Sequence, residues 1–281
     1  MDFETIKFEL KDNGIGIITL NRPERLNALS LQMVEDLNEI LDHLMTNLDC
    51  RVVIMKGAGK GFCSGLDLKE ATILQKKKIP EEYKKFYYLD VPELAKAKIY
   101  YEWRLSHIIT KMRKINQPII AIIHGPAVGG GIAFTMAADI RITGESARFN
   151  IGFINIGLSS SDIGSSYFLP RLIGLSRAAE IMYSGRFFEA SEAEKIGYVL
   201  KVVPDDKLLD SAFELAEEML NKSPLGLRMT KEAINLSLDC PSLETIIQIE
   251  NRTQMICAAS NDVLTAVQAK LEKKEPEFPL R

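Results

Sequence analysis

An α/β fold followed by an all-helical C-terminal region is what the sequence predicts, on three observations. Short apolar or alternating runs at residues 6–10, 15–20, 52–55 and 118–123 are separated by stretches with helical spacing, the pattern of strands alternating with helices. From residue 208 onward only helical spacing is left, at 208–220, 225–236, 243–258 and 262–271. At 281 residues, with 46% hydrophobic and 26% charged side chains, the chain can form one large core with a helical appendage. The division is expected between 205 and 206, giving a core of residues 1–205 and a helical region of residues 206–281.

Taken in order, Asp12-Asn13-Gly14 joins the first two runs as a hairpin signal, and Asn21-Arg22-Pro23 ends the second strand. Ser30 is placed to cap a helix whose apolar residues Met33, Leu37, Ile40, Leu41 and Leu44 recur at helical spacing. A buried strand at 52–55 leads into the glycine-rich loop of residues 57–65, and a helix is expected to begin near Leu66 with Asp67 in its first turn. Residues 71–98 read as an excursion over the mouth of a site, with lysines at 76–78 and 84–85 and the aromatics Tyr83, Phe86, Tyr87 and Tyr88. A helix over 101–115 then feeds the strand at 118–123. Beyond it, helices are expected at 165–173, 176–184 and 192–196, the last capped by Ser191, before a strand at 198–203.

The stretch with most chemical content follows the strand at 118–123. It opens onto Gly129-Gly130-Gly131 and then the small-residue helix of residues 132–138. The first N–H groups of a helix have no partner within it, so a strand–glycine–helix turn presents backbone donors to negative charge. About thirty residues on, Asp162 ends the polar cluster Ser159-Ser160-Ser161-Asp162. Composition excludes little else. A net charge of −3 gives no reason to expect nucleic acid or an anionic membrane as partner. Cys50, Cys63, Cys240 and Cys257 form no CxxC pair and suit a reducing compartment, and no metal site is expected. With no signal peptide and no membrane-length apolar run, a soluble, cytoplasmic protein is expected.

Four motifs occur in order: Asn21-Arg22-Pro23 with Asn27-Ala28-Leu29; Gly61 through Lys69, GFCSGLDLK; His124 through Gly131, HGPAVGGG; and Ala138-Asp139-Ile140-Arg141. Together with Ser223-Pro224, Thr230-Lys231 and the ending at Phe278, they make the chain resemble the crotonase superfamily, the enoyl-CoA hydratase/isomerase family, over nearly its whole length. The resemblance implies a spiral of ββα units with a C-terminal helical trimerisation layer, assembled as a homotrimer or homohexamer. It implies an acyl-CoA thioester as substrate and no separate cofactor, coenzyme A being part of that substrate. It also implies that the N–H groups of Leu66 and Gly130 polarise the thioester carbonyl.

The departures from the family pattern bear on the reaction. The two glutamates of a hydratase fall, by position, on Ala133 and Phe153, neither of which can carry a proton or fix a water. Asp162 lies close to the position of a catalytic aspartate in dienoyl-CoA isomerases, with one more residue between Leu158 and the aspartate than their segment has, and near the nucleophile of aroyl-CoA dehalogenases. The expectation is an isomerase in which Asp162 removes an allylic proton and returns it further along the chain. A nucleophilic or hydrolytic Asp162, an unusual hydratase and a non-catalytic acyl-CoA-binding protein stay open, and Asp162 could instead cap the helix beginning near Gly164. Substrate contacts are expected from Arg25, Ala28, Ser64, Leu66, Asp67, Leu68, Lys69, Gly129, Ala133, Phe153 and Ser161, with Arg25 and Lys69 facing the CoA phosphates.

Overall fold

The computed structural model describes residues 1–71 and 90–278. In chain order the elements are β1 (Ile6–Leu10), β2 (Ile15–Leu20), α1 (Leu31–Thr46), β3 (Val52–Gly57), α2 (Leu68–Ala71), α3 (Glu93–Lys114), β4 (Ile119–Ile123), β5 (Pro126–Val128) and α4 (Gly130–Ala137). Next come β6 (Ile140–Gly144), β7 (Arg148–Asn150), α5 (Ser165–Ile173), α6 (Leu175–Ser184), β8 (Phe188–Glu189), α7 (Ala190–Lys195) and β9 (Lys201–Val203). The chain closes with α8 (Leu208–Leu220), α9 (Pro224–Ser237), α10 (Leu243–Ala258) and α11 (Asn261–Glu272). Among the described residues the strands form one six-stranded sheet, ordered β1-β2-β3-β4-β6-β9, and one three-stranded sheet, β5-β7-β8. Only the β1–β2 hairpin is antiparallel in the larger sheet. The smaller sheet pairs β5 with β7 in parallel, and β7 with β8 antiparallel.

The period-two alternation of strands distributes side chains to two cores. Ile15, Ile17, Val52, Ile54, Ile120, Ile122 and Ile142 face α8, whose Leu208, Ala212 and Ala216 complete that layer. The alternate residues Ile18, Leu20, Val53, Met55, Ile119, Ala121 and Ile123 face the larger core beneath α1, α3 and α4. Both faces being covered explains why these strands read as continuous apolar runs. Ser30 caps α1 as expected, its Oγ accepting from Met33 N–H at 3.1 Å.

The helical region begins by packing on the sheet: α8 lies C-terminal to the 205/206 division and covers one sheet face. Helix α9 is pinned through Lys231, whose buried ammonium reaches Asp139 Oδ2 at 2.9 Å and donates to the carbonyls of Met112 and Gln117 at 3.0 and 2.8 Å. That contact accounts for the Thr230-Lys231 motif as an anchor between the helical region and the core.

Several boundaries differ from expectation. Helix α3 starts at Glu93, eight residues before the expected start at Tyr101, so the end of the excursion read at 71–98 is helix. The Lys76–Lys78 and Tyr83–Tyr88 portions of that excursion lie outside the described residues. Helix α7 begins at Ala190, with Glu189 rather than Ser191 at the cap position, because Glu189 closes the short strand β8 directly before it. Strand β9 is shorter than residues 198–203, since Tyr198 is drawn into the core, where its hydroxyl lies 2.5 Å from that of Thr135.

Candidate active site

Two backbone segments are brought together by close approach. The Cys63 N–H donates to Pro126 O at 3.1 Å and Val128 N–H to Cys63 O at 2.9 Å, laying the 61–65 loop along β5. On its other side, Leu29 N–H donates to Gly65 O at 2.8 Å and Asp67 N–H to Leu29 O at 3.1 Å. In such a parallel bridge the intervening residue turns its own N–H away, so Leu66 N–H points away from Leu29. Gly65 has φ +85°, and a Cβ there would stand 2.7 Å from Val128 O. A Cβ on Gly131 would stand 2.3 Å from Cys63 O, so only glycine permits this contact of loop and helix.

Gly129, at φ +54°, ends β5 and precedes the first turn of α4. Its N–H is taken by Asn150 O at 3.0 Å, whereas among the described residues no carbonyl accepts from Gly130 N–H or from Leu66 N–H. Helix α4 therefore opens with a free donor beside a second one from the neighbouring loop. The arrangement suits an oxygen that gains negative charge during a reaction.

Asp67, expected in the first turn of a helix near Leu66, instead precedes α2 and caps it. Its Oδ1 accepts from the N–H groups of Lys69 and Glu70, both at 3.2 Å, and its Oδ2 meets Arg22 at 3.0 Å. Burial by itself would raise its pKa, but the Glu70 N–H and the Arg22 guanidinium outweigh that and lower it. Arg22 also donates to Ala28 O at 2.6 Å, tying the 22–28 turn to the oxyanion loop. Asp67 and Ala28 are buried and set the loop's shape, while Arg25, Leu68 and Lys69 stand exposed at the mouth. Ser64 is half-buried, its hydroxyl donating to Arg25 O at 3.3 Å.

Ala133 is fully buried one turn into α4. The Phe153 ring lies against Gly129, 3.5 Å from where a Cβ would stand. Both expected hydratase-acid positions are thus apolar and packed near the glycine turn.

Asp162 lies in the loop before α5. Ile163, which follows it, has φ +36°, an outlier for a β-branched residue, and Gly164 has φ +88°. Ile163 Cδ1 stands 3.6 Å from the Cβ position of Gly130, so the strained turn that carries Asp162 packs on the first residue of α4 through Ile163. The capping alternative does not hold. Gly164 occupies the cap of α5 with no side-chain cap, and Asp162 Oδ1 accepts from the adjacent Ile163 N–H at 2.8 Å. Ser161 is exposed, and Ser160 is buried with its hydroxyl donating to Met182 O at 2.7 Å.

The sequence reading missed Glu102. It stands on α3 beside Asp162, and its carboxyl pKa is raised to about 8 by burial first, then by the hydrogen bond with Asp162 and that residue's charge. Although Glu102 counts as exposed over the whole residue, its carboxyl end is withdrawn from water where it meets Asp162. The preceding Tyr101 is buried, and its hydroxyl donates to Leu29 O at 3.2 Å, directly behind the oxyanion loop. A signal did exist: Glu102 precedes the buried spacing Leu105, Ile108, Ile109, Met112 on the face of α3 turned to the core.

A sequence profile for the family described as Enoyl-CoA hydratase/isomerase matches residues 10–99 and 90–280. The chain belongs to the enoyl-CoA hydratase/isomerase family. It is 40% identical over 265 residues to a probable enoyl-CoA hydratase of Mycobacterium bovis, covering 94% of this chain and 89% of that one. It is 30% identical over 270 residues to the 1,2-epoxyphenylacetyl-CoA isomerase of Escherichia coli, covering 95% of each. Among solved structures, a probable enoyl-CoA hydratase/isomerase from Mycobacterium abscessus superposes with a TM-score of 0.87 at 34% identity, over 99% of this chain and 100% of that one. The mixed α/β architecture with a C-terminal helical region is thus a crotonase fold, as the motifs led us to expect. Among the described residues no helix is long and apolar enough to cross a membrane.

Proposed function

We propose that this member of the enoyl-CoA hydratase/isomerase family shifts a double bond in an enoyl- or dienoyl-CoA, with Asp162 moving the proton. The observation that supports this reading is the strained Asp162-Ile163-Gly164 turn packed through Ile163 on the first residue of α4, with Ala133 and Phe153 where hydratase acids are expected. The N–H groups of Leu66 and Gly130 donate hydrogen bonds to the thioester oxygen. Asp162 takes a proton from the α carbon, which is both allylic and next to the thioester, and the C–H electron pair moves into a dienolate whose charge rests on that oxygen. Return of the same proton at the γ carbon gives the conjugated product and restores the Asp162 carboxylate. Preorganised donors at the oxygen supply about 2.7–4 kcal/mol each.

On this reading Arg25 and Lys69, both exposed at the mouth, face the CoA phosphates, and Leu66, Leu68 and Phe153 line the acyl path. The unpaired cysteines, two of them buried, fit a reducing cytoplasm. The exposed apolar residues of α10 and α11, among them Leu243, Met255, Leu264 and Leu271, fit burial between chains in a trimer or hexamer, which sedimentation would read directly.

The test is turnover of a β,γ-unsaturated hexenoyl-CoA by the wild-type protein and by Asp162→Asn. We expect double-bond migration that falls about 10²–10⁴-fold in the variant. Equal turnover would reject Asp162 as the proton carrier. Binding of the ester with no turnover by the wild type would favour an acyl-CoA-binding role instead.

A further inference from the structure

Three features of the molecule lie outside the scheme above. The cleft lined by Lys7, Thr19, Asn21, Lys56 and His124 holds, among the described residues, no buried side-chain polar atom left without a partner to demand a ligand. The buried Lys231–Asp139 pair is satisfied on all sides and anchors α9. The third is Glu102, a carboxylate brought against the proposed base by a helix that carries none of the family motifs.

Its placement is fixed by packing. The turn Asp162-Ile163-Gly164 is pressed on α3, with Ile109 Cγ2 3.5 Å from the Cβ position of Gly164. Ser106 and Ile109 of α3 line one cleft, of about 370 Å³, together with Ile163 and Gly164. Glu102 is two turns before Ile109 on the same helix, so its side chain shares the face that meets the loop. The titratable groups around it are Asp162 from the loop and Tyr101 on its own helix, with Asp67 and Glu70 of the oxyanion side beyond Tyr101. Among the described residues no lysine or arginine forms an ion pair with Glu102 or with Asp162, Lys98 one turn earlier included. Two carboxylates in contact repel when both are ionised, and with burial this holds the proton on Glu102 to higher pH.

We propose that Glu102 is the positioning residue for Asp162: in its neutral form it donates the hydrogen bond that aims the Asp162 carboxylate into the site, and on ionisation it releases it. This rests on the reading of Asp162 as the proton carrier. Neutral Glu102 holds the Asp162 carboxylate oriented for the α-proton, and the pair returns to the same state at the end of each turnover. When Glu102 loses its proton the contact changes from hydrogen bond to like-charge repulsion, and the base is pushed out of line.

The sign of the pH effect follows. Because Glu102 titrates near 8, kcat/KM of the wild type for the β,γ-unsaturated hexenoyl-CoA should fall above that pH, by about tenfold for each further pH unit. Glu102→Gln keeps a donor but cannot ionise, so its profile should stay flat over the same range. Glu102→Ala removes the donor and should lower kcat, with KM little changed, and Glu102→Gln should recover most of that loss. An infrared difference spectrum of wild type minus Glu102→Gln at neutral pH should show a carboxylic-acid carbonyl band that fades on raising the pH through about 8, a reading that needs no turnover.

An alkaline limb that survives in Glu102→Gln, or the absence of the acid band, would overturn the proposal while leaving Asp162 as the proton carrier untouched. Full turnover by Asp162→Asn would instead remove the parent reading, and the infrared band alone would then decide whether the two carboxylates share a proton.

Discussion

The two halves of the site are built by different means. The oxyanion half is made of backbone: Gly65, Gly129, Gly130 and Gly131 let one loop, one strand end and one helix start come within contact of each other, and hydrogen bonds on both sides fix the loop. The carboxylate half is made of side chains held by tertiary packing, with Asp162 on a strained turn and Glu102 on a helix arriving from sixty residues earlier in the chain. A backbone site tolerates few substitutions because the donors are the scaffold. A side-chain site can change its acid, and hence its reaction, while the fold stays the same. On the proposed reading Ala133 and Phe153, both buried, stand where a hydratase would hold its acids, and the carboxylates come from elsewhere.

The sharpest contrast between the halves should come from paired measurements of activity and stability. Asp162→Asn should lower turnover about 10²–10⁴-fold yet move unfolding free energy by no more than about 0.5 kcal/mol, since the asparagine oxygen can still accept from Ile163 N–H. Gly65→Ala should fail on both counts. A side chain at φ +85° and 2.7 Å from Val128 O must displace the loop that carries Leu66 N–H. We expect a loss of about 10²–10³-fold in kcat, as for one oxyanion donor, together with about 1–3 kcal/mol of stability. Circular dichroism melts beside kinetics would show it. A Gly65→Ala protein of normal stability and low activity would break the contrast, because the donors would then be separable from the scaffold.

The difference also sets what could be read in advance. Strand runs, the Ser30 cap and the glycine turn were legible because each is a local pattern of period, cap or required φ. Leu66 and Gly130 were singled out through the motifs around them, whose glycines meet the same steric demands, and their role as donors belongs to the proposed function. The two short strands β5 and β7 were not, since three residues paired across a turn carry too little periodicity. The role proposed for Glu102 was not legible, although its helical spacing with the buried residues of α3 was. Its role depends on where α3 lies relative to the 159–164 loop, and neither segment signals the other. Asp162 was half legible: its position near a family aspartate pointed to chemistry, but only the Gly164 cap and the Ile163 strain remove the competing capping role.

The smallest expected effect concerns the link between the 22–28 turn and the backbone half. Arg22→Met removes a guanidinium that reaches both Asp67 at 3.0 Å and Ala28 O at 2.6 Å, and charged hydrogen bonds of this kind contribute about 1.5–3 kcal/mol in total stability. Asp67 has a folded pKa below its ordinary value, so its contribution is complete above the unfolded carboxylate range, near about 3.9, and is lost as pH falls through the lower folded value. The stability gap between wild type and Arg22→Met should therefore be constant near neutral pH and narrow below about 4, leaving only the part owed to Ala28. Urea unfolding at a series of pH values reads this gap. A gap that does not narrow in acid would mean that Arg22 holds the turn through Ala28 alone, and that the oxyanion loop owes its shape to its glycines rather than to the Arg22–Asp67 pair.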